Sequence, residues 1–410
     1  MCSRFSLFVN SPPPDAKPAH PELKNRSISD IMNTSKLISG EQAMKKEELQ
    51  AVASLIIDWY KNAKRILPWR KDPSPYHVWL SETMLQQTRI EAVIPYYERF
   101  LAALPTIESL AQVDDEKLMK LWEGLGYYSR VRNLKKAAQT VVAGYGGELP
   151  QTAQELRKLP GIGEYTAGAI ASIAFGQPEP AVDGNVLRVI MRLTACKEDI
   201  TQPKVKKEVT QLLRSIYPGG KAASDLTQGI MELGEVICIP NGEPKCTACP
   251  LNAVCRAHRN NETALYPIKS AKKARKIQEL TVFMLFCDGK LALHRREDKG
   301  LLAGMWEFPN TEGHLTREEA EKFLEQKGLS PVCCEPCGKA KHIFTHIEWH
   351  MTGYQAQCRT QSSAFEWKTV DEIPESCALP SAFRFYRSLL EKEAGESRNQ
   401  PRPSPAIDES

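Results

Sequence analysis

The sequence predicts an all-helical domain over residues 46–265 followed by a smaller α+β domain. Three observations predict it. From Glu47 onward apolar residues recur with helical spacing, and strand-like alternation is absent up to residue 265. A basic stretch then intervenes: Arg256, Arg259, Lys269, Lys272, Lys273, Arg275 and Lys276 stand against the single acid Glu262. Beyond it the texture changes. Leu280 to Cys287 is apolar and β-branched or aromatic, and Asp288-Gly289 separates it from Lys290 to Arg295, the pattern of a β-hairpin.

Composition narrows the class. At 410 residues the chain is long for one domain. Hydrophobic residues at 42% and charged residues at 25% fit a soluble globular protein. No apolar run approaches the ~18 residues of a membrane span, and the first ten residues lack a signal-peptide core. The net charge of +4 is too mild to name a partner by itself. The basic run reads either as a solvated linker or as a strip that tracks a polyanion.

The first element is a tail over residues 1–45, with Pro12, Pro13 and Pro14 and little apolar periodicity; disorder is expected, with Met32 or Met44 as alternative starts. Leu49, Val52, Leu55, Ile56, Trp59 and Tyr60 then mark a helix, broken by Leu67-Pro68-Trp69-Arg70 and Asp72-Pro73-Ser74-Pro75. A helix from about His77 to Val93 follows, with further helices near 95–103, 114–123, 129–143, 152–159, 164–175, 185–194, 203–216 and 221–236. A basic linker is expected over 266–278 and the second domain over 279–392. In that domain Thr316 and Glu319 have capping-box spacing and Gly328 sits where a helix should stop, giving a helix over 317–327. Strands are expected within Lys341 to Gln357 and Ser363 to Val370, a last helix from Pro380 to Lys392, and a disordered tail over 393–410.

One stretch organises the first domain: Leu156 to Thr166, two short helices joined by Pro160-Gly161-Ile162-Gly163, within a hairpin spanning about 152–175. Thr152 and Glu155 have the spacing to start the first helix, and Pro160 stops it. Gly161 and Gly163 permit a tight turn and the close approach of another backbone. The first amides of the second helix lack intrahelical partners and can receive a phosphate.

Two carboxylates carry candidate chemistry. Glu82 lies on an apolar helical stripe with Val78, Trp79 and Leu85. Burial there would raise its pKa and keep it protonated, the state a general acid needs. Asp183 precedes a helix with Val186, Ile190 and Leu193 on one face. It reads as an N-cap, and a cap is held ionised by backbone hydrogen bonds and the positive helix end. One acid kept protonated and one anion is the division of labour for cleaving a glycosidic bond.

Of the twelve cysteines, Cys238, Cys246, Cys249 and Cys255 fall within 18 residues. Without a secretion signal they read as a metal site, not a disulfide framework. Four thiolates can hold Zn²⁺ or a [4Fe–4S] cluster; a single Cys-x-x-Cys arm followed by a Pro favours iron–sulfur. Cys334 and Cys337 form another Cys-x-x-Cys with no second pair nearby and read as ordinary strand or surface residues.

With these residues in view, the chain resembles the helix-hairpin-helix DNA glycosylases and, among them, adenine DNA glycosylases of the MutY type, over about residues 46–390. The matching stretches are Leu67-Pro68-Trp69-Arg70, Trp79-Leu80-Ser81-Glu82-Thr83-Met84-Leu85-Gln86-Gln87-Thr88, Trp122-Glu123-Gly124-Leu125-Gly126-Tyr127-Tyr128-Ser129-Arg130, the hairpin, Val182-Asp183-Gly184-Asn185-Val186, the cysteine quartet of loop 238–255, and Leu302-Ala303-Gly304-Met305-Trp306-Glu307-Phe308-Pro309. The resemblance implies an iron–sulfur glycosylase domain with a C-terminal Nudix-like domain, acting on double-stranded DNA with adenine opposite 8-oxoguanine or guanine. It implies that Glu82 protonates the flipped adenine and that Asp183 stabilises the sugar cation, with Tyr165 and Asn185 ordering the site around it. Trp69, Arg70, Leu85, Ile90 and Gln228 would line the adenine pocket; Gln87 and Tyr127 would wedge into the base stack, with Leu125, Gly161 and Gly163 also facing DNA. A monomer in the nucleoid of a bacterial cytoplasm is expected.

Some positions depart from the family or separate it from relatives. Bifunctional endonuclease III-type enzymes carry a Schiff-base lysine immediately before the hairpin Thr; here that position is Tyr165, so a monofunctional enzyme that leaves an abasic site is expected. Aligned on Gly328, the Nudix metal helix reads Glu321, Lys322, Glu325 and Gln326, which makes binding, not pyrophosphate hydrolysis, the expected role of the second domain. The lesion loop of the family, Phe-Ser-His, is matched by Phe344-Thr345-His346. Seven residues follow Cys238 where six are usual. The readings in competition are a thymine-mismatch or endonuclease III-like glycosylase, a DNA-binding protein with a dead site, and a Nudix hydrolase.

Overall fold

The computed structural model describes residues 44–271 and 274–399. The expected N-terminal tail, apart from Met44 and Lys45, lies outside them, as do Lys272, Lys273 and residues 400–410.

Thirteen α-helices build the first domain among the described residues: α1 Lys46–Ala63, α2 Pro68–Lys71, α3 Pro75–Leu85, α4 Ile90–Ala103, α5 Ile107–Gln112, α6 Asp115–Trp122, α7 Ser129–Tyr145, α8 Ala153–Leu156, α9 Glu164–Ile173, α10 Gly184–Thr194, α11 Pro203–Arg214, α12 Lys221–Val236 and α13 Arg256–Arg259. They form two lobes. One core joins Trp79, Phe100, Trp122 and Leu134 from α3–α9. The other joins the N-terminal helix α1, through Leu49 and Ile56, to Ile190, Val209 and Leu233 of α10–α12. Each core is built from helices that bury an apolar face, the usual route for a half-polar helix to gain stability.

The helix expected from 77 to 93 is two helices. The chain breaks at Gln86–Arg89, and Gln87 takes a left-handed backbone with φ 60°. No Gly or Pro marks this break, so periodicity runs through it. The helix expected over 152–159 ends at Leu156. Gly161 has φ 75°, and a Cβ there would meet the Asn133 Cβ at 2.6 Å, so the hairpin turn needs glycine for both conformation and space.

The second domain is a seven-stranded mixed sheet with helices on it. Its strands are β1 Lys276–Cys287, β2 Lys290–Arg295, β3 Trp306–Glu307, β4 Asn310–Glu312, β5 Pro331–Ile343, β6 Ile347–Cys358 and β7 Glu366–Thr369, and its α-helices are α14 Arg317–Gln326, α15 Ile373–Ser376 and α16 Arg384–Asn399. The order is β3-β2-β1-β6-β5, with β4 on β1 and β7 on β2. The Asp288-Gly289 hairpin forms as expected, with Cys287 opposite Lys290 and positive φ at both turn residues. β1 begins inside the expected linker, running parallel to β6 from Lys276 opposite Ile347. The final helix likewise runs on to Asn399, through residues expected to be disordered.

The two domains touch. Met305 and Ala378 pack into the core of the first lobe. Glu123 Oε1 accepts from Arg387 Nη1 at 2.8 Å and from the Leu379 amide at 3.2 Å.

Candidate active site

A pocket of about 460 Å³ opens between the two lobes. Glu82 and Tyr165 reach it from the first lobe; Asp183, Asn185, Gln228 and Met231 reach it from the second. Trp69, Arg70, Leu85, Ile90 and Gln87 also line it. The structure therefore brings the nine residues expected at the catalytic and adenine positions into one cavity.

Glu82 sits on α3, where every residue from Val78 to Met84 is buried. From Val78 to Met84 the helix is buried on every side, whereas Leu85 of the expected apolar stripe is half-buried. Burial drives the Glu82 carboxyl up to about 7; nearby Asp183 pushes the same way, while the Tyr165 hydroxyl and Arg70 pull it down. Tyr165 Oη donates to Glu82 Oε2 at 2.6 Å. Tyr165 was expected to order Asp183; its hydrogen bond goes to the other carboxyl, because α9 runs alongside α3.

Asp183 caps α10 and faces the pocket at once. Its Oδ1 accepts from the Val186 amide at 2.8 Å and its Oδ2 from Asn185 Nδ2 at 3.0 Å. Arg188 Nη2 in turn donates to Asn185 Oδ1 at 2.8 Å and to the Gly234 carbonyl at 2.8 Å. A Cβ on Gly234 would meet the Asn185 Cβ at 2.6 Å, so glycine lets α12 press against the Asn185 turn. The sequence implies a cap that holds the Asp183 carboxyl down; burial outweighs the pull of the Val186 and Asn185 hydrogen bonds and of Arg188 and raises its pKa. What separates the two carboxyls is their partners: Glu82 faces one hydroxyl, whereas Asp183 accepts two N–H bonds at a helix N-terminus.

Gln228 is held on both sides of its amide, accepting from Tyr60 Oη at 3.0 Å and donating to Ser224 Oγ at 3.1 Å. Trp69 meets Tyr97 edge-on at 5.4 Å.

Sequence reasoning missed Glu232. It is buried on α12 and lines the pocket. Arg65 Nε and Nη2 donate to its two oxygens at 2.7 and 3.0 Å, and Arg70 Nη2 donates at 2.8 Å. Burial pushes its pKa up, but these arginines outweigh burial and hold it at about 2. The signal was present: Glu232 interrupts an apolar run between Met231 and Leu233.

The expected DNA-facing residues separate by location. Gln87 and Tyr127 are exposed, and Tyr127 takes a left-handed backbone with φ 48°. Gly163 caps α9 with open space beside it. Leu125 is only 6% exposed and belongs to the first lobe's core, so its side chain does not reach the surface. Phe344-Thr345-His346 is the turn between β5 and β6, closed by the Phe344 amide on the Ile347 carbonyl at 2.8 Å. Phe344 packs edge-on to Trp349 at 4.9 Å, and Thr345 Oγ1 lies 3.0 Å from Tyr127 Oη. The linker's Arg275 Nε donates to the Phe344 carbonyl at 3.1 Å.

The four cysteines line one small cavity beside α10 and α13. Arg192 Nη1 donates to Cys238 Sγ at 3.3 Å, and the Leu251 amide to Cys249 Sγ at 3.4 Å. Among the described residues, no three of His, Cys, Asp or Glu close on a single metal ion. Thiols around a shared cavity are the donor type that both zinc ions and iron–sulfur clusters take.

Comparison with known proteins agrees with this arrangement. A model of the HhH-GPD superfamily base excision DNA repair proteins matches residues 80–215, and a NUDIX domain model matches residues 281–388. The chain is 31% identical to an adenine DNA glycosylase of Mus musculus, over 94% of this chain and 90% of that protein. It is 32% identical to one of Homo sapiens, over 83% and 74% of the two chains, and 34% identical to one of Buchnera aphidicola, over 73% and 84%.

Proposed function

Because the chain belongs to the adenine DNA glycosylase family of base excision DNA repair enzymes, we propose that it removes adenine opposite 8-oxoguanine or guanine by hydrolysis alone, leaving an abasic site. The observation that carries the reading is the pocket itself: Glu82 and Asp183 face it from opposite lobes, with a phenol where a lysine nucleophile would stand.

The chemistry follows from the partners of each group. Extruded adenine enters between Trp69, Leu85, Ile90 and Met231, with Gln228 fixed at the wall. The protonated Glu82 gives its proton to a ring nitrogen, making the base a better leaving group. The N-glycosidic bond breaks, and its electron pair leaves with adenine. Asp183, held by the Val186 amide and Asn185, stabilises the cationic sugar and accepts a proton from the attacking water. Adenine and an abasic sugar are the products. Lys158, a lysine of the hairpin's first arm, is exposed, does not line the pocket and is paired with Glu155 at 2.7 Å, which supports hydrolysis without a Schiff base.

The Phe344-Thr345-His346 turn supports recognition of the oxidised partner, since it stands against Tyr127 of the first domain. Cys238, Cys246, Cys249 and Cys255 would hold a [4Fe–4S] cluster, which would cross-link the 238–255 segment through four thiolates.

The test is single-turnover excision on a duplex with adenine opposite 8-oxoguanine, beside the same duplex with guanine, with and without alkali. Adenine release with strand breaks only after alkali is expected, faster with the oxidised partner. Breaks without alkali would mean that an amine acts. No adenine release from either duplex would remove the reading.

A further inference from the structure

Gln87 and Tyr127 lie on different turns, and both hold a left-handed backbone that side chains seldom adopt. Something must hold each turn in place. Arg130, only 9% exposed, lies between them. Its Nη1 donates to the carbonyls of Thr83, Met84 and Gln86, each at 2.8 Å. Its Nη2 donates to the carbonyls of Leu125 at 3.1 Å and Gly126 at 3.0 Å, and to Thr88 Oγ1 at 3.4 Å. The guanidinium also lies 5.3 Å from the Trp122 ring centroid and 5.6 Å from that of Tyr127.

We propose that Arg130 is a positioning residue that joins the 86–88 and 125–127 turns into one unit, so that Gln87 and Tyr127 meet the base stack in a fixed relation. The proposal rests on the reading above that these two side chains enter DNA. Thr83 and Met84 are among the last residues of α3, whose carbonyls lack intrahelical partners, and a cation at that helix end is favoured. The second set of carbonyls belongs to the turn that carries Tyr127. A planar guanidinium presents donors along two edges and can bridge both sets; an ammonium is a compact point donor and cannot. The same bonds fix the last turn of the helix that carries Glu82. The contact of Tyr127 with Thr345 would then reach both turns.

The test compares wild type with Arg130→Lys and Arg130→Met. Three quantities are read: melting temperature, single-turnover adenine release, and the fluorescence of 2-aminopurine placed at the adenine position. The fluorescence reports base extrusion without bond cleavage. Arg130→Lys is expected to fold yet lose about 10- to 100-fold in both extrusion and excision, because small misplacements of this kind cost that much. A folded Arg130→Lys or Arg130→Met enzyme with wild-type extrusion and excision would overturn the proposal. A cycle on the wild-type background keeps the idea exposed even if both variants fail to fold. Gln87→Ala and Tyr127→Ala must combine non-additively in extrusion, and effects that simply multiply would also overturn it. Silence of wild type toward adenine would count against the glycosylase reading, while the extrusion signal would still judge Arg130.

Discussion

The Tyr165 hydroxyl donates to the Glu82 carboxylate at 2.6 Å. The side chain that stands where related lyases carry a lysine is therefore a hydrogen-bond donor to the proposed acid. This bond favours the anion, and burial opposes it more strongly, leaving Glu82 near pH 7.

The first prediction is a pH profile. Only protonated Glu82 can donate, so single-turnover excision should be flat below about pH 7 and fall tenfold per unit above it. Tyr165→Phe removes a bond that favours the anion, so the falling limb should move to higher pH. A limb that stayed or moved down would contradict the assignment. Stability has the matching sign: a raised carboxyl pKa contributes stability that is lost as pH rises from 4.5, its ordinary value, through about 7. Glu82→Gln should therefore gain in relative melting temperature over that window while losing excision by about 100-fold or more.

Asp183 caps α10 as well as facing the pocket. Asparagine caps as well as aspartate. Asp183→Asn should fold and bind the mismatched duplex like wild type while losing at least about 100-fold in excision, since it neither balances the sugar cation nor takes the water proton. Gel-shift affinity beside single-turnover rate decides it; equal excision by the variant would revive a DNA-binding role.

Glu232→Gln leaves Arg65 and Arg70 without their shared counter-charge. Removing one member of a buried ion pair costs about 3 kcal/mol or more. Chemical denaturation should show that loss. Excision should fall too, because Arg70 would be left at the pocket wall with only its bond to the Arg65 carbonyl and its contact with the Tyr60 ring.

Thr345→Val keeps the size of the side chain and removes the hydroxyl that meets Tyr127. The ratio of excision opposite 8-oxoguanine to that opposite guanine should shrink, with the guanine rate little changed. An unchanged ratio would detach this turn from lesion recognition.

The basis for much of this was legible in the chain. Helical spacing, the Asp288-Gly289 hairpin and the Thr316–Glu319 capping box are local, and local preferences agreed with the fold. The break at Gln86–Arg89 was not legible. A left-handed Gln87 is held by bonds that Arg130 makes across the lobe, and nothing in residues 77–93 encodes that by itself.

The sequence by itself determined which groups exist to do chemistry: a glutamate in an apolar helix, an aspartate before a helix, four cysteines in one loop and a tyrosine where an amine would change the reaction. Only the tertiary structure decided their partners. It set Tyr165 on Glu82 instead of Asp183, raised both carboxyls, buried Leu125, and brought Glu232 to the same cavity. The physical reason is that pKa and hydrogen bonding depend on burial and on neighbours brought from distant positions in the chain, and those neighbours are set where the two lobes meet.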